Sequence, residues 1–294
     1  MTHRDGLEPE EVYRWLGPID RIRPRFLPLV SLPVWLASRH RADDNSIYRK
    51  KHLSNPEQAG FVLQSLLKGL KRKVAALEPR GGASAWTDYM KSNHNYSAEE
   101  FAAKEQFVRE CLSACTPKRV LDVGCNTGHF SFMAAGRGAG VVAIDYDPAV
   151  AGNVWRKAAS ENLDILPLVV NLTRPTPGVG WNNREWPSFL DRARGAFDVV
   201  LMLAVIHHML VTERVPLSEV IDLAAELTAD SLIVEFVSPD DTMFRRLTRG
   251  REELHRDLTA SAFEVCCRRR FEIVQSMHRE GATRRLYWMR RKKD

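Results

Sequence analysis

Cysteine is scarce and poorly spaced for covalent or metal chemistry. The five residues, Cys111, Cys115, Cys125, Cys266 and Cys267, are odd in number and contain no C-x-x-C pair. That excludes a disulfide framework and the usual zinc spacings, and leads us to expect no metal and a reducing, cytoplasmic compartment. Long apolar runs are missing too. A membrane span needs about 20 apolar residues. The most apolar early stretch, Phe26 to Ala37, falls short of this and holds Pro28 and Pro33, so core packing is expected of it. The start, with His3, Arg4 and Asp5, lacks the apolar segment of a signal peptide. No basic stretch is interleaved with aromatics in the manner of a nucleic-acid surface.

What the chain does have is enough apolar material for a sizeable core, 44% of its 294 residues, and a net charge of +6 that is unevenly placed. From Arg268 to the end there are ten Lys and Arg against three acids, so the surplus belongs to the tail. Its final run, Arg290-Arg291-Lys292-Lys293, could hold phosphate or nucleic acid, but so short a run reads better as a solvated terminus. Phe61, Leu63, Leu66, Leu67, Leu70 and Val74 recur at helical spacing opposite Lys68, Lys71, Arg72 and Lys73, as expected of an amphipathic helix. Pro79-Arg80-Gly81-Gly82 breaks the chain after it. The expected organisation is an N-terminal helical extension over residues 1–82 and a second domain over 83–294.

The second domain is organised around Arg119 to Pro148. Val120 to Val123 is a strand-like run, Gly124-Cys125-Asn126-Thr127-Gly128 a turn, His129 to Ala135 a helix, and Val141 to Ile144 a strand ending on Asp145. In open α/β sheets a nucleotide-like ligand lies outside the carboxyl ends of the strands, and an acid about 20 residues past the turn can accept both ribose hydroxyls. A pyrophosphate cradle would want G-x-G-x-x-G, but Asn126 stands at the second glycine. Asp122 would repel a pyrophosphate and suits an ammonium group. These residues point to S-adenosylmethionine (SAM) held by Asp122, the turn from Gly124 through Cys125, Asn126 and Thr127 to Gly128, and Asp145.

The stretch VLDVGCNTG resembles the first motif of class I SAM-dependent methyltransferases, and the wider pattern is similar to the branch that includes the nodulation protein NoeA. The likeness spans about residues 86–290. It implies a Rossmann-like α/β sandwich of seven strands whose last strand is antiparallel. It also implies a lid built from Trp86 to Phe107, which would bring Tyr96 to the cofactor, where the residues alone equally allow Trp86, Tyr89 and Tyr96 to pack the sheet edge, and an adenine contact from Asn171, where the family tends to have Asp. Trp181 to Trp186 resembles a loop of that branch and is expected near the cofactor or the substrate.

Phe197 to Leu203 reads as a strand buried on both faces, leading to His207 and His208 at the edge where a methyl group would lie. Either histidine could take a proton from the acceptor, or simply cap the next helix. Ser231 to Val237 is a further strand, and Glu235 inside it must be paired or aimed at a ligand. Met243 to Arg269 reads as helical, and Phe271 to Gln275 and Leu286 to Met289 as a final strand pair. The reading is methyl transfer to an oxygen or nitrogen of a small-molecule or carbohydrate-like acceptor, the carbohydrate part resting on the NoeA resemblance alone. Rivals are an RNA or protein methyltransferase docking through the basic tail, a non-catalytic SAM-binding scaffold and, least favoured, a nicotinamide dehydrogenase. The sequence is silent on oligomeric state.

Overall fold

Period-two alternation of branched and small apolar residues explains the central sheet. In β1 (Arg119–Val123) Val120 packs into the core on one face and Leu121 into the core on the other; in β4 (Phe197–Met202) Val199 and Val200 divide in the same way. A computed structural model describes residues 7–39, 55–76 and 96–292. The chain divides into two compact units, Met1–Arg80 and Gly81–Asp294.

The first unit contains α1 (Pro9–Trp15), α2 (Pro18–Arg21), a π-helical turn (Leu27–Ser31) that runs into α3 (Leu32–Arg39), and α4 (Pro56–Ala76). Proline opens α1 and α2, where a missing N–H costs nothing. The Ser31 hydroxyl donates to the Arg21 carbonyl at 2.6 Å, and the Trp35 indole donates to the Tyr13 hydroxyl at 2.9 Å. Core packing of Phe26 to Ala37 is only partly realised: Val30 and Ser31 are buried, while Leu29, Leu32 and Leu36 are exposed.

The second unit opens with α5 (Ala98–Cys115), capped by Ser97 and Glu100 in a reciprocal capping box. Next come β1, α6 (His129–Ala135), β2 (Gly140–Asp145), α7 (Pro148–Ser160), β3 (Ile165–Val169), α8 (Phe189–Ala193), β4 and α9 (Ile206–Val211). α10 (Leu217–Leu227), β5 (Thr228–Val237), α11 (Thr242–Thr248), α12 (Ala260–Cys267), β6 (Phe271–His278) and β7 (Arg284–Arg291) complete it. The seven strands run in the order β3-β2-β1-β4-β5-β7-β6, with β7 antiparallel to both neighbours. This is the class I methyltransferase architecture expected from the sequence, and its order reverses between β1 and β4.

Two expectations need correction. Met243 to Arg269 is not one helix: Gly250 at φ 73° breaks it, and Thr259 starts a new one by accepting from the Ala262 N–H. Nor are Arg290 and Arg291 a loose solvated end, because they finish β7. Leu286, Tyr287 and Met289 bury one strand's worth of apolar surface there, and Arg291 donates to the Thr228 carbonyl at 2.8 Å. Trp86 and Tyr89 of the expected lid lie outside the described residues.

Candidate active site

The turn after β1 is shaped by left-handed backbone. Gly124, Asn126 and Gly128 have φ of 68°, 48° and 79°. A side chain on Gly128 would also strike Phe132 and Val154, within 2.9–3.2 Å, so a glycine is needed there for packing as well as for the turn. The Gly124 and Cys125 N–H groups donate to the Ile144 carbonyl, at 2.8 and 3.0 Å, which ties the turn to β2. Asp145, at the end of β2, accepts from the Asn126 N–H at 3.1 Å and the Asp147 N–H at 3.0 Å. The Asn126 side-chain oxygen is buried with no hydrogen-bond partner among the described residues.

Asp122 lies one residue before this turn and is buried. It accepts from the Ser131 hydroxyl at 2.5 Å. Burial pushes its pKa up to about 6, the nearby Asp145 adds to the rise, and Ser131 and Lys104 oppose it. Burial likewise raises Asp145. The Cys125 thiol is driven far up by burial and by these two acids, so it packs as a small apolar side chain.

β4 delivers the histidines through a sharp corner. Ala204 takes φ 55°, strained for a residue with a Cβ, and Val205 then packs against the turn: a Cβ on Gly124 would lie 3.1 Å from Val205. This contact brings the ends of β1 and β4 together at the point where the strand order reverses. His207 is buried, and neither of its ring nitrogens has a hydrogen-bond partner among the described residues. Burial holds its pKa well below the ordinary value, helped by His208, Arg284 and Lys104, so the ring is neutral at pH 7. The His208 ring packs against it with centroids 4.2 Å apart.

Glu235 on β5 occupies the same edge in a different state. Its carboxylate accepts from the Lys104 ammonium at 2.6 Å and from the Tyr96 hydroxyl at 2.7 Å. Tyr96 in turn accepts from Lys104 at 2.9 Å and from Arg284 at 2.5 Å. Arg284 also grips Asp241, at 2.9 and 3.2 Å, and Asp241 caps α11. Side-chain exposure is 9% or less for Lys104, Glu235, Arg284 and Asp241. Burial lowers the Lys104 pKa, and Glu235 opposes the shift.

A profile of the methyltransferase domain matches residues 94–282. The chain belongs to the methyltransferase-domain family. The nodulation protein NoeA of Rhizobium meliloti (strain 1021) is 33% identical over 230 residues, which cover 78% of this chain and 46% of NoeA. The chain therefore spans about half the length of that relative. The N-methyltransferase NodS of Bradyrhizobium japonicum WM9, solved with S-adenosyl-L-homocysteine (SAH), shares the fold with a TM-score of 0.50 at 16% identity. That likeness covers 73% of this chain and 96% of NodS.

In this class I methyltransferase the cofactor is SAM, and the residues present fit it. Asn126 offers a buried side-chain oxygen without a partner among the described residues, and Asp122 and Asp145 offer carboxylates whose burial raises their pKa. The structure brings together Asp122, the turn through Thr127 to Gly128 and Asp145, and His207 follows two residues after Val205, which packs on that turn. It engages other expected residues elsewhere. The Asn171 side-chain oxygen accepts twice from Thr173, at 3.0 and 2.6 Å, which fills both of its lone pairs. Tyr96 turns its hydroxyl into the Glu235 network, and Glu235 is paired mainly with Lys104, with Arg284 at 3.9 Å. The Trp181 loop closes on itself by paired Val179 and Trp186 backbone bonds, at 3.0 and 3.1 Å.

Lys104, Arg284 and Asp241 were missed as partners at this edge. Lys104 did leave a signal: it shares its helix face with Phe107, Val108 and Cys111, three, four and seven residues on, where a lysine is out of place unless paired. Arg284 left none, because its partners come from β5 and the α11 cap.

Proposed function

We propose that this chain moves the methyl group of SAM to an oxygen or nitrogen of a small-molecule or carbohydrate-like acceptor, and that His207 receives the proton the acceptor gives up. When bound, SAM supplies an activated methyl on a sulfonium, a good leaving group. The chain's own work is to hold, to orient and to accept a proton. Asp145 would take the ribose hydroxyls, Asp122 the ammonium, and the turn from Gly124 to Gly128 would let backbone approach. Asn171 could serve adenine only through its amide NH2, since its oxygen is committed to Thr173.

The observation that carries the reading is His207, a buried imidazole whose two nitrogens have no partner among the described residues, two residues beyond Val205, which packs on the turn after β1. A buried polar group without a partner costs about 1–3 kcal/mol. An acceptor hydroxyl or amine would remove that cost by donating to it. The small-molecule or carbohydrate-like class draws on the relatives, a nodulation protein and an N-methyltransferase. Macromolecular docking through the tail gains nothing from the structure, because Arg268, Arg270, Arg284 and Arg285 are paired with Glu264, Asp222 and Asp241.

The test is calorimetric titration with SAM, SAH and NADH, followed by transfer of labelled methyl to oligosaccharide and polyamine pools. Binding of the first two, with label appearing in small acceptors, is expected. Binding of NADH alone would overturn the cofactor assignment, and label found only in RNA or protein would overturn the acceptor class.

A further inference from the structure

Helix α4 stands apart from the rest of the chemistry. It is 21 residues long and buries none of them. Around the helix, at 3.6 residues per turn, Val62, Leu66, Leu70, Leu63, Val74 and Leu67 fall in one continuous stripe. All six are exposed, from 46% for Val62 to 67% for Val74. An apolar stripe left in water over this length is a surface awaiting a partner.

The charges decide which partner. Glu57, in the first turn, is the single acid of the helix, whereas Lys68, Lys71, Arg72 and Lys73 crowd its second half. Lys73 lies on one margin of the stripe, beside Val62 and Leu66, and Lys71 lies beyond Leu67 on the other. Lys68 and Arg72 occupy the opposite face. From the margins, long stems can lie along the apolar surface while their ammonium groups reach outward.

A second copy fits this pattern badly. Parallel pairing of two stripes sets the marginal Lys71 and Lys73 of one helix against those of the other, and antiparallel pairing offers them no acid, because Glu57 lies on the far face. A bilayer crossing is excluded by the same cations, and no described helix is long and apolar enough to span. An anionic lipid surface meets both demands at once. The stripe enters the boundary between headgroups and acyl chains, and each flanking cation finds a phosphate.

We infer that α4 is an interfacial helix that lies in the plane of an anionic bilayer and tethers the chain there. This rests on a different unit from the catalytic reading, and its fate is independent of that reading.

Sedimentation of the full chain with two vesicle preparations tests it. One is phosphatidylcholine alone; the other contains about one-third phosphatidylglycerol, an anionic lipid. The chain is expected to pellet with the second and not the first. Binding should weaken about fivefold for each of the flanking Lys71 and Lys73 changed to Gln, and less for Lys68 or Arg72 on the far face. Raising salt from about 0.1 to about 1 M shortens the Debye length from about 10 to about 3 Å and should release the protein. Leu66→Glu with Leu70→Glu should abolish pelleting; both positions are exposed and Glu is a good helix former, so no core is disturbed. Unchanged SAH affinity in that variant checks that the catalytic unit is intact. The inference is overturned by failure to pellet with phosphatidylglycerol vesicles, or by pelleting that survives the double Glu variant. It is equally overturned by a dimer that the double Glu variant dissociates while vesicles take up no protein.

Discussion

Two clusters of ionisable groups share the carboxyl edge of this sheet, and they are in opposite states. Around Glu235, every charge has an answer: Lys104 and Tyr96 on its oxygens, and Arg284 linking Tyr96 to Asp241. Around the turn after β1 the groups are left wanting. Among the described residues, His207 has no partner on either nitrogen, Asn126 none on its side-chain oxygen, and Asp122 accepts from Ser131 alone. Burial is similar in both places, so it does not distinguish them. What does is satisfaction: the first cluster holds β5, β7 and α5 together, and the second keeps its hydrogen-bonding capacity for a ligand.

The contrast can be broken most severely at its saturated end. Lys104→Met would strand the Glu235 carboxylate in the interior and should cost about 3–5 kcal/mol in urea unfolding. Adding Glu235→Leu to that variant should restore most of the loss, because both desolvation penalties then vanish. A single variant as stable as the parent would show that the network does not carry the fold.

The unsatisfied end should behave in reverse. His207→Ala is expected to lower the methyl-transfer rate by about 100-fold, at the low end for loss of a proton acceptor. Stability should hold steady or rise, since an unpaired polar group has gone, and SAH affinity should not change. Equal losses of rate and stability would make His207 structural. A smaller effect is expected at the ribose position, where Asp145→Ala should weaken SAM binding at least about tenfold, roughly 1.4 kcal/mol, in a folded protein; unchanged affinity would remove Asp145 from the site.

The mildest change is one of pH. The Asp122 pKa stands at about 6 in the folded protein against an ordinary 3.8, so the native state binds the extra proton between these values. Free protein should therefore gain stability as pH falls from about 6 toward about 4. Affinity for SAM should decline over the same range, because the carboxylate that answers the ammonium is being neutralised. Asp122→Asn should flatten both curves, and curves that move together would exclude Asp122 as the ammonium partner.

Much of this was local enough to read from the chain. Val120 to Val123, the glycines at 124 and 128, and Asp145 lie within one β-α-β unit, where alternation and turn chemistry act over neighbouring residues. The same holds for the Ser97 and Glu100 cap and for the stripe of α4. Arg291 was misread as part of a solvated end because its partner, the Thr228 carbonyl, lies 63 residues away in sequence.

By itself, then, the sequence determined the fold class, the glycine turn after β1 and the acid that ends β2, because each follows from backbone geometry and side-chain chemistry within a few tens of residues. Only the tertiary structure decided which buried groups are spent and which are free. It paired Glu235 with Lys104 across 131 residues and Tyr96 with Arg284 across 188, committed Asn171 to its own turn, and left His207 without a partner. Whether a buried polar atom is satisfied depends on contacts between distant strands and helices, and no local pattern encodes that.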